Sequence, residues 1–253
     1  KIDFQDYWTD YAIFSWRFVA LCSAHHLLGN YQKELEVARE AQKYFPNDLD
    51  LRSKEVCALA VFGKVEELYQ VIEHSKSIEP SAGSVSAGYV MLAASRELRA
   101  HGNKIEALKF AEQSFQWYND NDKENKSGLA KALYSAERWD ESHTLYKELA
   151  AENPDDITYK GALGALAART GNAAEARYIA DELKSIDRKY LFGWHTYLRA
   201  RIHALLGEHA EAVKLIQESF NLGNKFGVYI HNDIDLESLY NYPPFKSLLK
   251  PKG

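Results

Sequence analysis

Gly171-Asn172-Ala173-Ala174-Glu175-Ala176 has counterparts on both sides of it. Gly102-Asn103-Lys104-Ile105-Glu106-Ala107 and Gly207-Glu208-His209-Ala210-Glu211-Ala212 follow the same plan, and Glu137-Arg138-Trp139-Asp140-Glu141-Ser142 follows it with Glu at the head. Earlier copies start at Gly29 and Gly63, so successive starts lie 34, 39, 35, 34 and 36 residues apart. A period of that size belongs to a repeat architecture. Gly heads five of the six copies, and Gly readily enters the left-handed conformation that ends one helix before the next begins. The flanking stretches are rich in Ala, Leu, Glu and Lys, which are strong helix formers. The spacing predicts six helix hairpins with turns near 29, 63, 102, 137, 171 and 207.

Side chains around each turn extend the pattern. A small residue stands five places after four of the heads, as Ala107, Ser142, Ala176 and Ala212, where the two helices of a hairpin come closest. Glu34 and Leu68 break this rule in the first two copies. Leu108, Ala111 and Phe115, then Val213, Ile216 and Phe220, fall at i, i+3, i+7 and predict one buried stripe per second helix. Pro46, Pro80 and Pro154 sit where second helices should stop, followed by Asn47-Asp48, Ser81 and Asp155-Asp156 as candidate caps. The longer second interval implies a longer first helix or loop around Ser81–Gly88.

These residues resemble the tetratricopeptide repeat, a helix–turn–helix unit with Gly at the turn, then a small residue, and Pro near the end. The likeness runs over roughly residues 15–225. It departs from the pattern at Glu34, Leu68 and Glu137, and in a weak first-helix signature. The resemblance implies an all-α fold, a right-handed superhelix (α-solenoid) of about six hairpins with a C-terminal capping helix. The array would span residues 1–228 and the cap 229–253, with a Pro243-Pro244 break before the last turn. The phrases His26–Tyr31, Glu97–Gly102 and Asp235–Phe245 also resemble the C-terminal repeat region of large bacterial multidomain signalling proteins.

Tyr7–Leu28 reads as a long helix carrying Trp8, Tyr11, Phe14, Trp16 and Phe18, too many aromatics for one narrow stripe. It is read as buried between repeats or as a docking or dimer contact.

Composition narrows the function classes. The chain has 253 residues and a net charge of −5 without a large block of either sign, which disfavours nucleic acid and anionic membranes. Two cysteines, Cys22 and Cys57, build neither a disulfide framework nor a four-thiolate zinc site. They read as packed small residues in a reducing, cytoplasmic setting. No apolar run is long enough to span a membrane. The chain begins at Lys1 with no signal pattern and reads as a piece of something longer.

Residues that could carry chemistry are scattered. His25 and His26 point to different helix faces, and His203 and His209 straddle a turn, so no metal is expected. Gly161 and Gly164 lie inside a helical pattern with no strand before them and read as a close helix contact. Glu34, Glu36, Asp233 and Asp235 read as solvated or capping carboxylates. Neither an enzyme nor a cofactor is expected. What the resemblance implies instead is a concave groove lined by the first helices. Its groove positions carry over to Tyr89, Arg96, Arg99, Lys131, Tyr134, Arg169, Trp194, Tyr197 and Arg201. That row is basic and aromatic, and reads as an open wall for a protein or peptide partner, an extended or acidic segment. The expected function is a non-catalytic interaction scaffold. The alternative is a regulatory or sensor module gating an output domain of its parent chain.

Overall fold

The computed structural model describes residues 8–80 and 83–250, with the side chains of 8–14 left out of account. It is all-helical, 74% helix, and has no strand among the described residues. Six hairpins follow one another: α1 (Trp8–Leu27) with α2 (Tyr31–Gln42), α3 (Leu49–Val61) with α4 (Val65–Lys76), α5 (Ala87–Ala100) with α6 (Lys104–Asn121). Then come α7 (Lys126–Ser135) with α8 (Trp139–Glu152), α9 (Ile157–Arg169) with α10 (Ala173–Lys184), and α11 (Trp194–Leu205) with α12 (His209–Asn221). The chain ends in α13 (Val228–His231), a 3-10 helix (Ile234–Leu239) and α14 (Pro243–Leu248). No described helix is long and apolar enough to cross a membrane.

The turns adopt the backbone that the Gly pattern requires. Gly29, Gly63, Gly102, Gly171 and Gly207 have φ between 64° and 83°, and Glu137 takes the same left-handed conformation at φ 60°. Helix starts use the expected chemistry, with one shift. Asp48 and Asp156 cap α3 and α9, but α5 is capped by Ser86, which accepts from the Tyr89 amide. Ser81 lies outside the described residues. The extra residues of the second interval therefore sit in the loop before α5, a helix of ordinary length at 14 residues.

The buried stripes run one residue earlier than the sequence pattern suggested. In the second helices they are Ala107, Phe110, Ala111, Ser114 and Tyr118, and Ala212, Leu215, Ile216 and Ser219. Ser114 and Ser219 are tolerated there because each hydroxyl donates to a carbonyl, that of Gly88 and that of Ile216. Leu108, Phe115, Val213 and Phe220 flank the stripe half-buried.

Contacts divide the chain into two compact units, one to Trp117 and one from Tyr118. In the first, Val56, Leu59, Leu68, Ile72, Met91, Leu98 and Phe110 form the core. In the second, Gly161 and Gly164 do let helices close in. A Cβ on Gly161 would lie 2.7 Å from Leu198, and one on Gly164 would lie 2.5 Å from Ile202. The C-terminal segment belongs to the second unit's core, with Ile230, Leu236, Leu239 and Phe245 packed against α11 and α12 residues. Pro243 and Pro244 follow the break at 240–242 that ends the 3-10 helix. They open α14, where a missing N–H and a fixed φ are compatible with a first turn.

Candidate functional site

In the second unit the first helices converge on the chain's own acid. Asp235 is fully buried. Its Oδ1 accepts from Arg169 Nη2 at 2.6 Å and from Tyr134 Oη at 2.5 Å, and its Oδ2 accepts from Arg201 Nη2 at 2.6 Å and Nε at 2.9 Å. Arg169 also donates to the Ile234 carbonyl and lies over the Trp139 ring, 4.6 Å from its centroid. Asp233 accepts from Tyr197 Oη at 2.8 Å and pairs with Arg201 at 3.2 Å. Its other oxygen caps the 3-10 helix through the Asp235 amide. Two carboxylates thus meet two guanidiniums, and two phenols fill remaining acceptor sites. Burial pushes the Asp235 carboxyl up, but Arg201 and Arg169 outweigh it and hold it below the usual range. Burial, with the facing carboxylates, pushes the Tyr134 and Tyr197 phenols far up, so both stay donors.

This corrects the open wall expected from sequence. Tyr134, Tyr197, Arg169 and Arg201 are brought together, but around Asp233–Asp235 and away from solvent. Asp235 is likewise no solvated acid. Arg99 is buried as well. Trp194 is half-buried, stacked on Tyr197 and donating to Thr158 Oγ1. Lys131 is exposed on α7, Tyr89 is exposed on α5, and Arg96 is half-buried on α5.

The first unit holds a second buried polar cluster. Glu34, which departs from the repeat pattern, is buried and accepts from His26 Nδ1 at 2.7 Å. His26 Nε2 lies 3.3 Å from Glu97, which also meets His101 at 3.1 Å, and Tyr31 packs edge-on against both imidazoles. A carboxylate at a position made for a small residue is therefore matched by an imidazole from α1. Burial opposes charge on His26, but its bonds to Glu34 and Glu97 outweigh burial and raise its pKa to about 9. Burial raises Glu34 too, although His26 pulls it down. Both groups hold protons more tightly when folded, so both make stability fall as pH rises. For His26 the contribution is complete below 6.5 and is lost as pH climbs through about 9. We expect urea unfolding to show a loss of about 3 kcal/mol over that window. His26→Gln should flatten the profile, and an unchanged slope would refute the charged imidazole.

Other candidates are structural. Cys22 and Cys57 are free and buried, and burial pushes the Cys22 thiol up to about 12. That makes it a poor nucleophile. On α1, Trp16 is 67% exposed and Phe18 packs on Phe45. The side chains of Trp8, Tyr11 and Phe14, and all of Tyr7, lie outside the described residues.

Residues 98–166 match the family model described as tetratricopeptide repeat. A crystal structure of a tetratricopeptide repeat protein from Parabacteroides merdae ATCC 43184 is similar at 14% identity and a TM-score of 0.48, covering 92% of this chain and 82% of that one. No curated protein matches the chain. The matched segment contains the whole α5–α6 turn and the α7–α8 hairpin, and the same left-handed turn heads every other hairpin. Residues 98–166 thus carry the tetratricopeptide repeat.

Proposed function

We propose that the chain is a non-catalytic interaction module that holds an acidic segment of a partner protein against the first helices of its first unit, through Arg96 and Tyr89. Repeats of this family generally mediate contacts between proteins. The supporting observation is positional. Arg96 stands six residues before Gly102, as Arg201 stands six before Gly207; Tyr89 and Trp194 each stand thirteen before those same glycines. At the C-terminal copy, that Arg grips two aspartates. At the α5 copy it makes no hydrogen bond or ion pair with any described residue. Lys131 holds the corresponding place before Glu137 and is exposed.

A guanidinium suits this task because its planar fork binds a carboxylate through two parallel bonds. Such a bond contributes about 1.5–3 kcal/mol, or roughly ten- to a hundredfold in affinity. Arg96→Glu should therefore abolish capture of partners from extracts of the native host, and wild-type capture should weaken as salt rises. Helicity and melting should be unchanged, since Arg96 makes no hydrogen bond or ion pair with any described residue. Equal recovery by the variant would move the binding site elsewhere. Arg169→Glu is unsuitable for this comparison, because it would break the buried Asp235 cluster.

A further inference from the structure

Two loops of the second unit expose a group of large apolar side chains. Tyr190 is 82% and Phe192 61% exposed in the α10–α11 loop, and Leu222 and Phe226 are exposed in the loop after α12. The Tyr190 and Phe192 rings lie 6.1 Å apart, and Phe226 sits edge-on against Phe220. The loops touch: a Cβ on Gly223 would meet the Phe192 ring at 3.6 Å, and one on Gly193 would meet Leu222 at 3.0 Å. Four neighbouring apolar residues on a soluble surface mark an interaction site more often than an accident.

The backbone is held in an expensive shape to present them. Tyr190 and Phe192 have φ of 64° and 45°, where an ordinary side chain costs about 1–2 kcal/mol per residue. Both loops are fixed. Gly193 lies so close to the Ser219 carbonyl that a Cβ would sit 2.2 Å from it, and Tyr229 bonds Asn224 Oδ1 and the Lys225 carbonyl. A rigid aromatic patch loses little entropy on binding.

Charge selects the occupant. Residues 184–193 and 222–227 carry Lys184, Arg188, Lys189 and Lys225 against one acid, Asp187. Arg188 is engaged by Asp155, while the three lysines are exposed and make no hydrogen bond or ion pair through their side chains with any described residue. A second copy would bring like charge to like in a twofold contact. An anionic bilayer is normally engaged by four to eight clustered basic residues; with Arg188 engaged by Asp155, this patch offers three. We propose that Tyr190, Phe192, Leu222 and Phe226, rimmed by Lys189 and Lys225, dock an acidic peptide segment of a partner protein with aliphatic or aromatic side chains between its carboxylates. This surface is separate from Arg96 and does not depend on it.

The test selects a random displayed peptide library on the full chain and measures the affinity of the enriched peptides, fluorescently labelled. Enriched peptides should combine Asp or Glu with Leu, Ile, Phe or Trp. Among the peptides that the Arg96→Glu chain still binds, affinity should fall about tenfold or more in the Tyr190→Asn/Phe192→Asn variant and in the Lys189→Glu/Lys225→Glu variant. Asn accepts left-handed backbone, so the first variant should keep its fold; if its helicity drops, the lysine pair decides. The proposal fails if no acidic peptides are enriched, or if both double variants bind them as wild type does. It fails equally if Tyr190 and Phe192 instead drive self-association or binding to phosphatidylserine vesicles.

Discussion

Asp235→Ala should cost the second unit about 3–5 kcal/mol, because it leaves two buried guanidiniums without their counter-charge. Arg169 and Arg201 converge on that one carboxylate from α9 and α11. Neither can turn to water without unpacking its helix: their side chains are only 11% and 16% exposed. Asp235→Asn, which keeps the shape and one acceptor, should lose less. Replacing the whole cluster by apolar residues, with Leu at 235 and Met at 169 and 201, should also lose less than the single alanine, since the pairing mainly offsets desolvation. Urea unfolding followed by circular dichroism measures all three. An alanine variant within about 1 kcal/mol of wild type, the value of a surface pair, would show that the cluster does not hold the fold. Acid tests the same contact. Asp235 is held below the usual carboxylate range, so its contribution is present above 3.8 and disappears only as pH falls through the lowered folded value.

Ending the chain before Val228 should be more damaging still. Ile230, Leu236, Leu239 and Phe245 are fully buried, and at about 1.5–3 kcal/mol each they contribute roughly 6–12 kcal/mol. That approaches the whole stability of a domain, about 5–15 kcal/mol. Loss of the Asp233 and Asp235 contacts adds to it. The truncated chain should lose the cooperative melt of its second unit and associate, as the bared faces of α11 and α12 find one another. A monomer melting at the wild-type temperature in analytical ultracentrifugation and calorimetry would refute this. The same magnitudes argue against a cap that lifts to admit a ligand, since a displacing partner would have to replace all of that burial.

The hairpins were legible because their cause is local. A left-handed turn residue is written as Gly at five heads, and the Glu137 copy was recoverable only from its place in the period. Gly161 and Gly164 were legible for the same reason, since a missing Cβ inside a helix has few explanations. The buried carboxylates were not. Tyr134 and Asp235 are 101 residues apart, and no periodicity links a first helix to a segment that returns to lie on it. The signals were present but silent alone: Asp235 between Ile234 and Leu236, and Glu34 at a place made for Ala. A charged residue in an apolar context implies a buried partner, and only the structure shows that the partners are two arginines read as a groove for Asp235 and His26 for Glu34. The strain at Tyr190 and Phe192 left no trace, because nothing in those residue types favours positive φ.

The Asp235 contact has a bearing on how such an array can lengthen or shorten over evolutionary time. One carboxylate reads the last two first helices together, through Arg169 and Arg201, 32 positions apart. A duplicated hairpin inserted before α7 leaves that reading intact, together with the Tyr134 bond to the same carboxylate. One inserted between α10 and α11 carries the two arginines a full repeat away from each other, and one added after α12 strands both behind a new neighbour. Gain and loss of repeats is thus permitted at one end of the gene and proofread at the other.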